Sequence, residues 1–555
     1  MASIFPDSPG FGRPIRLQDY LKAAEGAIGA GNVARATQIS VEAAQRGIEH
    51  PGLLALATYH YLDLGQFQQA LKYAMRAREL APRQSDALNA LGQTLVKLER
   101  HREAIRIFDE ALQHSPKSFV SHFNKANALV DLSQLKKARE YFMRALALQP
   151  SHAQTMAQIA HLAAQRGDAK EAREYGERAL KADPQQADAK FAIAAADLEE
   201  KNYEAALAML RPLAESVAIG ANAHATAQSL IGDALDGLGK PQEAFEAYTQ
   251  AGEGLHAFYA PVYARPGQLT ALGLARKLGQ YFRDAPPWHK GSPGNFKSPV
   301  DTHVFLVSFP RSGTTLLGQV LAAHPKIETM EERPCLDDAH AFVLEEGGLD
   351  RLATLDGAAL DGYRAAYWKR VTDEWETPSR PVFIDKLPLN SVLLCLVAKL
   401  FPEAKILFAL RDPRDVALSC FRRRFGMNVQ MYELLTLKGT ATYYDAIMAL
   451  ADVYREKLSL DIYEARHENL VSDFAEETRR LCEFLGVERD ASMEEFAPAA
   501  RDRHIDTPSA AQVARGLFGS GCGKWLTYRE ELSPVMPVLA PWASRFGYPA
   551  DPGSR

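Results

Sequence analysis

Alanines recur on a fixed ruler through the first half of the chain: Ala36, Ala70, Ala104, Ala138, Ala172 and Ala206 stand 34 residues apart. A second series, Ala43, Ala77, Ala111, Ala145 and Ala179, runs beside it, and Pro82, Pro116, Pro150 and Pro184 keep the same step. Such a period demands a stack of similar units, because one short unit cannot bury its apolar face alone. The spacing predicts a helix over Asp86–Leu98 and an antiparallel partner over His101–His114. Pro116 then ends the pair, since its ring cannot continue the hydrogen-bond ladder. The alanines mark places where two helices cross too closely for a larger side chain. Six units are regular. In a seventh, Ala244 stands where the ruler expects position 240, so about four residues are inserted between Leu213 and Ala225.

This helix–turn–helix period resembles the tetratricopeptide repeat, which implies an all-α solenoid over residues 1–256 and a groove for a peptide or protein partner. Residues 257–300 read as a helical and Pro/Gly-rich linker: an aromatic, proline-broken stretch at Ala257–Pro266, a helix at Leu269–Phe282, then a linker at Ala285–Pro299. With 555 residues the chain has ample length for a second domain over 301–555. A formal charge of −5 gives no footprint for nucleic acid. Five scattered cysteines without a CxxC pair suit a reducing compartment and supply no zinc site. The first residues lack the apolar centre of a signal peptide, and no stretch approaches the roughly 18 apolar residues of a membrane span. The expectation is a cytoplasmic protein with no membrane span.

From His303 the pattern switches to apolar strands (VFLVSF, VFID, ILFAL, IYEARH) alternating with helices, the grammar of an α/β domain with a mainly parallel sheet. In such sheets ligands bind beyond the carboxyl ends of the strands. The first strand runs into Pro310-Arg311-Ser312-Gly313-Thr314-Thr315 and then apolar residues again, the layout of a strand–loop–helix anion cradle. A Walker loop would need Gly at Ser308 and Lys at Thr314, so this P-loop-like turn carries its charge on Arg311 instead, and magnesium with ATP becomes less expected. After ILFAL comes RDPRDVALS. Asp412 and Pro413 suit a helix start, whereas Arg411 at the strand end and Ser419 two turns on could hold a second phosphate.

PRSGTTLL, HPKIETMEER, DKLP, LRDPRDVALS and GKW, in that order, resemble the sulfotransferase superfamily over about residues 301–550, and within it the tyrosylprotein sulfotransferases. The resemblance implies a sulfuryl donor, 3′-phosphoadenosine 5′-phosphosulfate (PAPS), as co-substrate, no metal, and an acceptor hydroxyl on a peptide or protein, tyrosine among the candidates. It implies Glu332 as general base, with Glu331 left open as the alternative. It further implies Lys386 on the bridging oxygen of the leaving nucleotide and Arg311 on the sulfuryl and 5′-phosphate oxygens. Arg311, Ser312, Gly313, Thr314 and Thr315 correspond to the 5′ loop, Arg411 and Ser419 to the 3′-phosphate site. Ser509 and Lys524 correspond to further cofactor contacts. Gly318 departs from the family pattern, where a larger and often basic residue is expected. Two rival readings remain: a nucleotide phosphotransferase, for which Asp385 is the best magnesium ligand, and a cofactor-binding adaptor without turnover.

Overall fold

The computed structural model describes residues 16–132, 134–216, 219–291, 294–375, 377–497 and 521–550. The chain divides into two compact units, residues 1–164 with 170–192 and residues 193–555 with 165–169. Along the chain the helices come as pairs whose first members start at Leu17, Pro51, Ser85, Phe119, Ala153 and Ala187, on the 34-residue ruler, and the first five pairs belong chiefly to the first unit. Successive helices from Leu17–Gly29 to Leu135–Leu148 pack against one another. Every alanine of both series is at 0% exposure, as close helix crossing requires. At Gly92 even a Cβ would come within 2.3 Å of the Phe108 ring on the partner helix.

The same ruler governs the turn inside each pair. Gly31, Gly65 and Gly167 have φ of 71°, 68° and 75°, and the equivalent positions hold Glu99 at 61° and Lys201 at 63°. A left-handed residue there reverses the chain between the two helices, and glycine adopts it without strain. The seventh repeat absorbs its four extra residues as one added helical turn. Its first helix, Ala221–Gly237, has 17 residues where the others have 13. Its second, Pro241–Tyr263, runs through Pro261, so the expected proline break at Ala257–Pro266 is a helix end instead. Tertiary packing explains the extension: Tyr263 lies 5.8 Å from the Tyr432 ring and His256 stacks on the same ring at 4.6 Å. No described helix is long and apolar enough to cross a membrane.

The second unit adds a five-stranded, all-parallel sheet: β1 (Thr302–Val307), β2 (Ile327–Glu331), β3 (Val382–Lys386), β4 (Lys405–Leu410) and β5 (Asp461–Arg466), in the order β2-β3-β1-β4-β5. β2 is an edge strand that the sequence pattern did not separate from its surroundings. Alternation splits β1 between two cores. Val304 and Leu306 face the helices Thr314–Ala322 and Phe474–Leu485. Phe305 and Val307 face Leu394–Leu400, Leu437–Lys457 and Ala271–Asp284. A sheet covered on both faces accounts for its nearly unbroken apolar strands. β1 sits at its centre, so the turn after it opens between the ends of β3 and β4.

A left-handed backbone costs a residue with a Cβ about 1–2 kcal/mol, and glycine's extra freedom when unfolded returns about 0.5–1 kcal/mol of that. Glu99→Gly should therefore stabilise the protein by roughly 0.5–1 kcal/mol, read as a higher urea midpoint. A lower midpoint would show that this turn carries no strain.

Candidate active site

The turn after β1 is tied to its neighbours before it turns. Ser308 donates its N–H to the Pro388 carbonyl at 2.9 Å and its hydroxyl to the Ala409 carbonyl at 2.5 Å. Ser391 donates to the Ser308 carbonyl at 3.0 Å. The ends of β1, β3 and β4 are thus locked at one level, and the residues that follow them meet there. Arg311 then takes φ of 70° and Gly313 φ of 94° before the helix Thr314–Ala322 begins. Only glycine fits position 313, because a Cβ would lie 2.7 Å from His467 Nδ1. Ser312, Thr314 and Thr315 are buried at the start of this helix.

Arg311 Nε donates to Ser419 Oγ at 3.0 Å, across 108 residues of sequence. Arg411 donates through one terminal nitrogen to the Arg311 carbonyl at 3.2 Å and through the other to the Gly521 carbonyl at 2.6 Å. The arginines after β1 and β4 and the hydroxyl of Ser419 therefore share one pocket. Positive charge is concentrated there. Burial, with the like charges of Arg423 and Arg411, pushes Arg311 down to about 9. His467, buried and facing the same two arginines, is pushed down to about 3 and stays neutral. The buried Nε of Arg411 and Nδ1 of His467 have no hydrogen-bond partner. Buried polar groups rarely stay unpaired without a reason. His467, the first residue after β5, was not singled out from the sequence. Its position at a strand's carboxyl end was the available signal.

Twenty residues after Arg311, β2 ends in Glu331, and Glu332 follows at φ of 21° with its N–H on the Lys386 carbonyl at 2.8 Å. Lys386 ends β3 at 0% side-chain exposure and lies 2.5 Å from Glu331 Oε2 and 2.8 Å from Glu332 Oε1. The two carboxylates differ in access. Glu331 is 2% exposed and accepts from Gln319 on the loop helix at 2.9 Å, whereas Glu332 is 32% exposed. Burial pushes Glu331 up while Lys386 opposes it. The pair of carboxylates holds Lys386 protonated above its ordinary value despite the cost of burial. Gly318 sits on the same helix with Thr329, Leu306 and the Lys386 stem at 3.6–3.9 Å from an added Cβ, so the larger residue expected there would press on the sheet.

One expected contact is engaged elsewhere, and another is not described. Lys524 Nζ is 2.9 Å from Asp236 Oδ1, so the structure brings it to the last repeat. Ser509 lies outside the described residues. Asp385 is fully buried and accepts from Tyr367 Oη at 2.9 Å, on a hydrogen-bonded chain that continues to His303 Nε2. A carboxylate enclosed in this way is poorly placed to meet a nucleotide-bound magnesium ion.

Paired arginines beyond the carboxyl ends of β1 and β4, with a lysine between two carboxylates at the end of β3, suit the handling of an anion. The comparisons make it specific. Residues 303–491 match the sulfotransferase family, residues 123–187 the tetratricopeptide repeat, and residues 63–145 subunit 3 of the anaphase-promoting complex, or cyclosome. Protein-tyrosine sulfotransferase A of Caenorhabditis elegans is 25% identical over 259 residues, covering 44% of this chain and 67% of its own. Protein-tyrosine sulfotransferase 1 of Rattus norvegicus is 26% identical over 297 residues, covering 51% and 76%. An uncharacterized protein of Aquifex aeolicus is 26% identical over 251 residues, covering 43% of this chain and 32% of its own, about a third of its length. Among solved structures, a tetratricopeptide repeat protein from Parabacteroides merdae covers 42% of this chain and 92% of its own at 14% identity, with a TM-score of 0.34. The chain thus joins tetratricopeptide repeats to a sulfotransferase-family domain.

The unequal burial of the two carboxylates separates their roles by stability. Glu331→Gln breaks a buried ion pair and should cost about 3 kcal/mol or more. Glu332→Gln, at a half-exposed position, should stay within about 1 kcal/mol of the parent. Equal losses in urea denaturation would contradict this division.

Proposed function

We propose that the protein transfers a sulfuryl group from PAPS to an acceptor hydroxyl, with the repeats binding the acceptor or a partner. The observation that carries this reading is the meeting of Arg311, Arg411 and Ser419 beyond the carboxyl ends of β1 and β4, where the buried Arg411 Nε has no hydrogen-bond partner. Arg311 and the N–H groups of Ser312–Thr315 suit the 5′ side of the donor, and Arg411 with Ser419 suits its 3′-phosphate. PAPS supplies the sulfuryl group and departs as 3′,5′-ADP. Glu332, the more accessible of the two carboxylates, takes the proton from the acceptor hydroxyl while that oxygen bonds to sulfur. Lys386 meets the negative charge on the oxygen from which sulfur departs, and Arg311 meets the charge on the sulfuryl oxygens. Preorganised cations of this kind supply much of the catalysis in transfers of charged groups.

Glu331 gives Lys386 a second anchor. When Glu332 gains its proton, its attraction for Lys386 weakens, and the buried Glu331 keeps the ammonium in place. Tyrosine is the acceptor in the printed names of the relatives, so a tyrosine-containing peptide is the first acceptor to offer.

With 3′,5′-ADP at about a hundred times its dissociation constant, the parent protein should gain roughly 2.7 kcal/mol of stability. ADP with magnesium should give less, and an equal or larger response to it would remove the PAPS reading. Glu332→Gln should lower transfer from labelled PAPS by about 100-fold to 10,000-fold, while 3′,5′-ADP still binds. Unchanged turnover would remove Glu332 as the base.

A further inference from the structure

Helix Pro413–Phe421, which carries Ser419, is followed directly by three consecutive arginines that none of the steps above uses. All three reach the first helix of the last repeat, Ala221–Gly237, which lies in the same compact unit as the sheet. Arg422 is 2.8 Å from Asp236 and 3.5 Å from Asp233, and Arg423 is 3.1 Å from Asp233. Arg424 donates to Thr226 Oγ1 and to the Asn222 carbonyl. Asp236 also gathers the segment after Gly521: Lys524 Nζ at 2.9 Å and Tyr528 Oη at 2.6 Å, both on Oδ1. Tyr248 of the second repeat helix donates to Asp233 at 2.8 Å. Burial pushes Asp236 up, but Arg422, Tyr528 and Lys524 outweigh it and hold it below its ordinary value.

The contact is also packed. Phe245 lies 5.0 Å from the Phe421 ring and 6.3 Å from the Tyr528 ring. At Gly252 a Cβ would meet the Leu435 carbonyl at 2.0 Å, so the second repeat helix touches the α/β backbone directly. Two segments of the anion pocket converge here. One carries Ser419, three residues before Arg422. The other begins at Gly521, whose carbonyl holds Arg411. Asp415 on the same helix joins them by accepting the N–H of Gly523 at 2.7 Å and of Trp525 at 2.8 Å. Arg423, paired with Asp233, is also the cation whose charge bears most on Arg311.

We propose that the last repeat is a working part of the nucleotide pocket: Asp236, with Asp233, positions the helix that carries Ser419 and the segment that holds Arg411. This rests on the nucleotide reading above. Asp236 is a positioning residue, since it touches the cations behind the pocket and not the pocket itself.

The test uses the full chain with Asp236→Asn, Asp236→Glu and Tyr528→Phe, measuring 3′,5′-ADP affinity by calorimetry well below each variant's melting temperature. Asp236→Asn should weaken binding about fivefold to tenfold, within the span of about twofold to thirtyfold that residues coupled to a site but outside it produce. Asp236→Glu should recover part of that loss, and Tyr528→Phe should show a smaller one. A purely structural role would lower the melting temperature and leave affinity below it unchanged. Binding by Asp236→Asn within twofold of the parent therefore overturns the proposal. If Asp236→Asn does not fold, Tyr528→Phe decides, and affinity equal to the parent's again overturns it. Should the parent bind no 3′,5′-ADP at all, the donor assignment fails, and hydrogen exchange without ligand then judges the tie alone. Faster exchange at 414–421 and 521–528 in Asp236→Asn, with β1 and β4 unchanged, supports it; an identical pattern overturns it.

Discussion

The guanidinium of Arg411 holds together three segments that the chain brings from far apart. One terminal nitrogen takes the carbonyl of Arg311, in the turn after β1, and the other takes the carbonyl of Gly521, near the end of the described chain. Arg411 itself follows β4. Both carbonyls are neutral acceptors, so the hydrogen bonds fix the side chain without cancelling its charge. A carboxylate in either place would have made a stable ion pair and filled the pocket. Here neither hydrogen bond is to a charged group, and the buried Nε has no hydrogen-bond partner. His467 fits the same logic, because a second nearby titratable group stays neutral between two arginines and adds no competing charge.

Much of this was legible in the sequence, for two physical reasons. A repeat must place the same small residue at every close crossing, so the alanine ruler located both helices of each unit. The anion turn must put charge, glycine and hydroxyls within a few residues of one strand end, so Arg311 to Thr315 announced themselves, and Arg411 with Ser419 did so by the same rule. What stayed hidden depended on tertiary partners. Nothing local reports that helix Pro241–Tyr263 will pass through Pro261, because aromatic packing on Tyr432 sustains it. Lys524 looked like a phosphate ligand by position, but Asp236, nearly 300 residues earlier, engages it. The choice between Glu331 and Glu332 was equally closed to sequence, since adjacent carboxylates differ only by which one the edge strand turns inward.

Backbone strain points to the same residues as charge. Among the described residues, four other than glycine have positive φ: Glu99, Lys201, Arg311 and Glu332. The first two occupy the repeat turn, where most units use glycine, so their conformation belongs to the solenoid. The other two are the residues proposed above to meet the sulfuryl oxygens and to take the acceptor proton. A left-handed backbone at each turns the chain sharply just beyond a strand. That turn sends Arg311 towards Ser419 and leaves Glu332 more accessible while Glu331 stays buried. Glycine at either position would relieve the strain and remove the functional group with it, so the conformation persists only because the surrounding bonds impose it. The Lys386 carbonyl supplies that constraint for Glu332 and Arg411 supplies it for Arg311. For Arg311 the constraint comes from the Arg411 guanidinium itself, so its loss would disturb charge and backbone together; for Glu332 it comes from the main-chain carbonyl of Lys386, which a change of that side chain leaves in place.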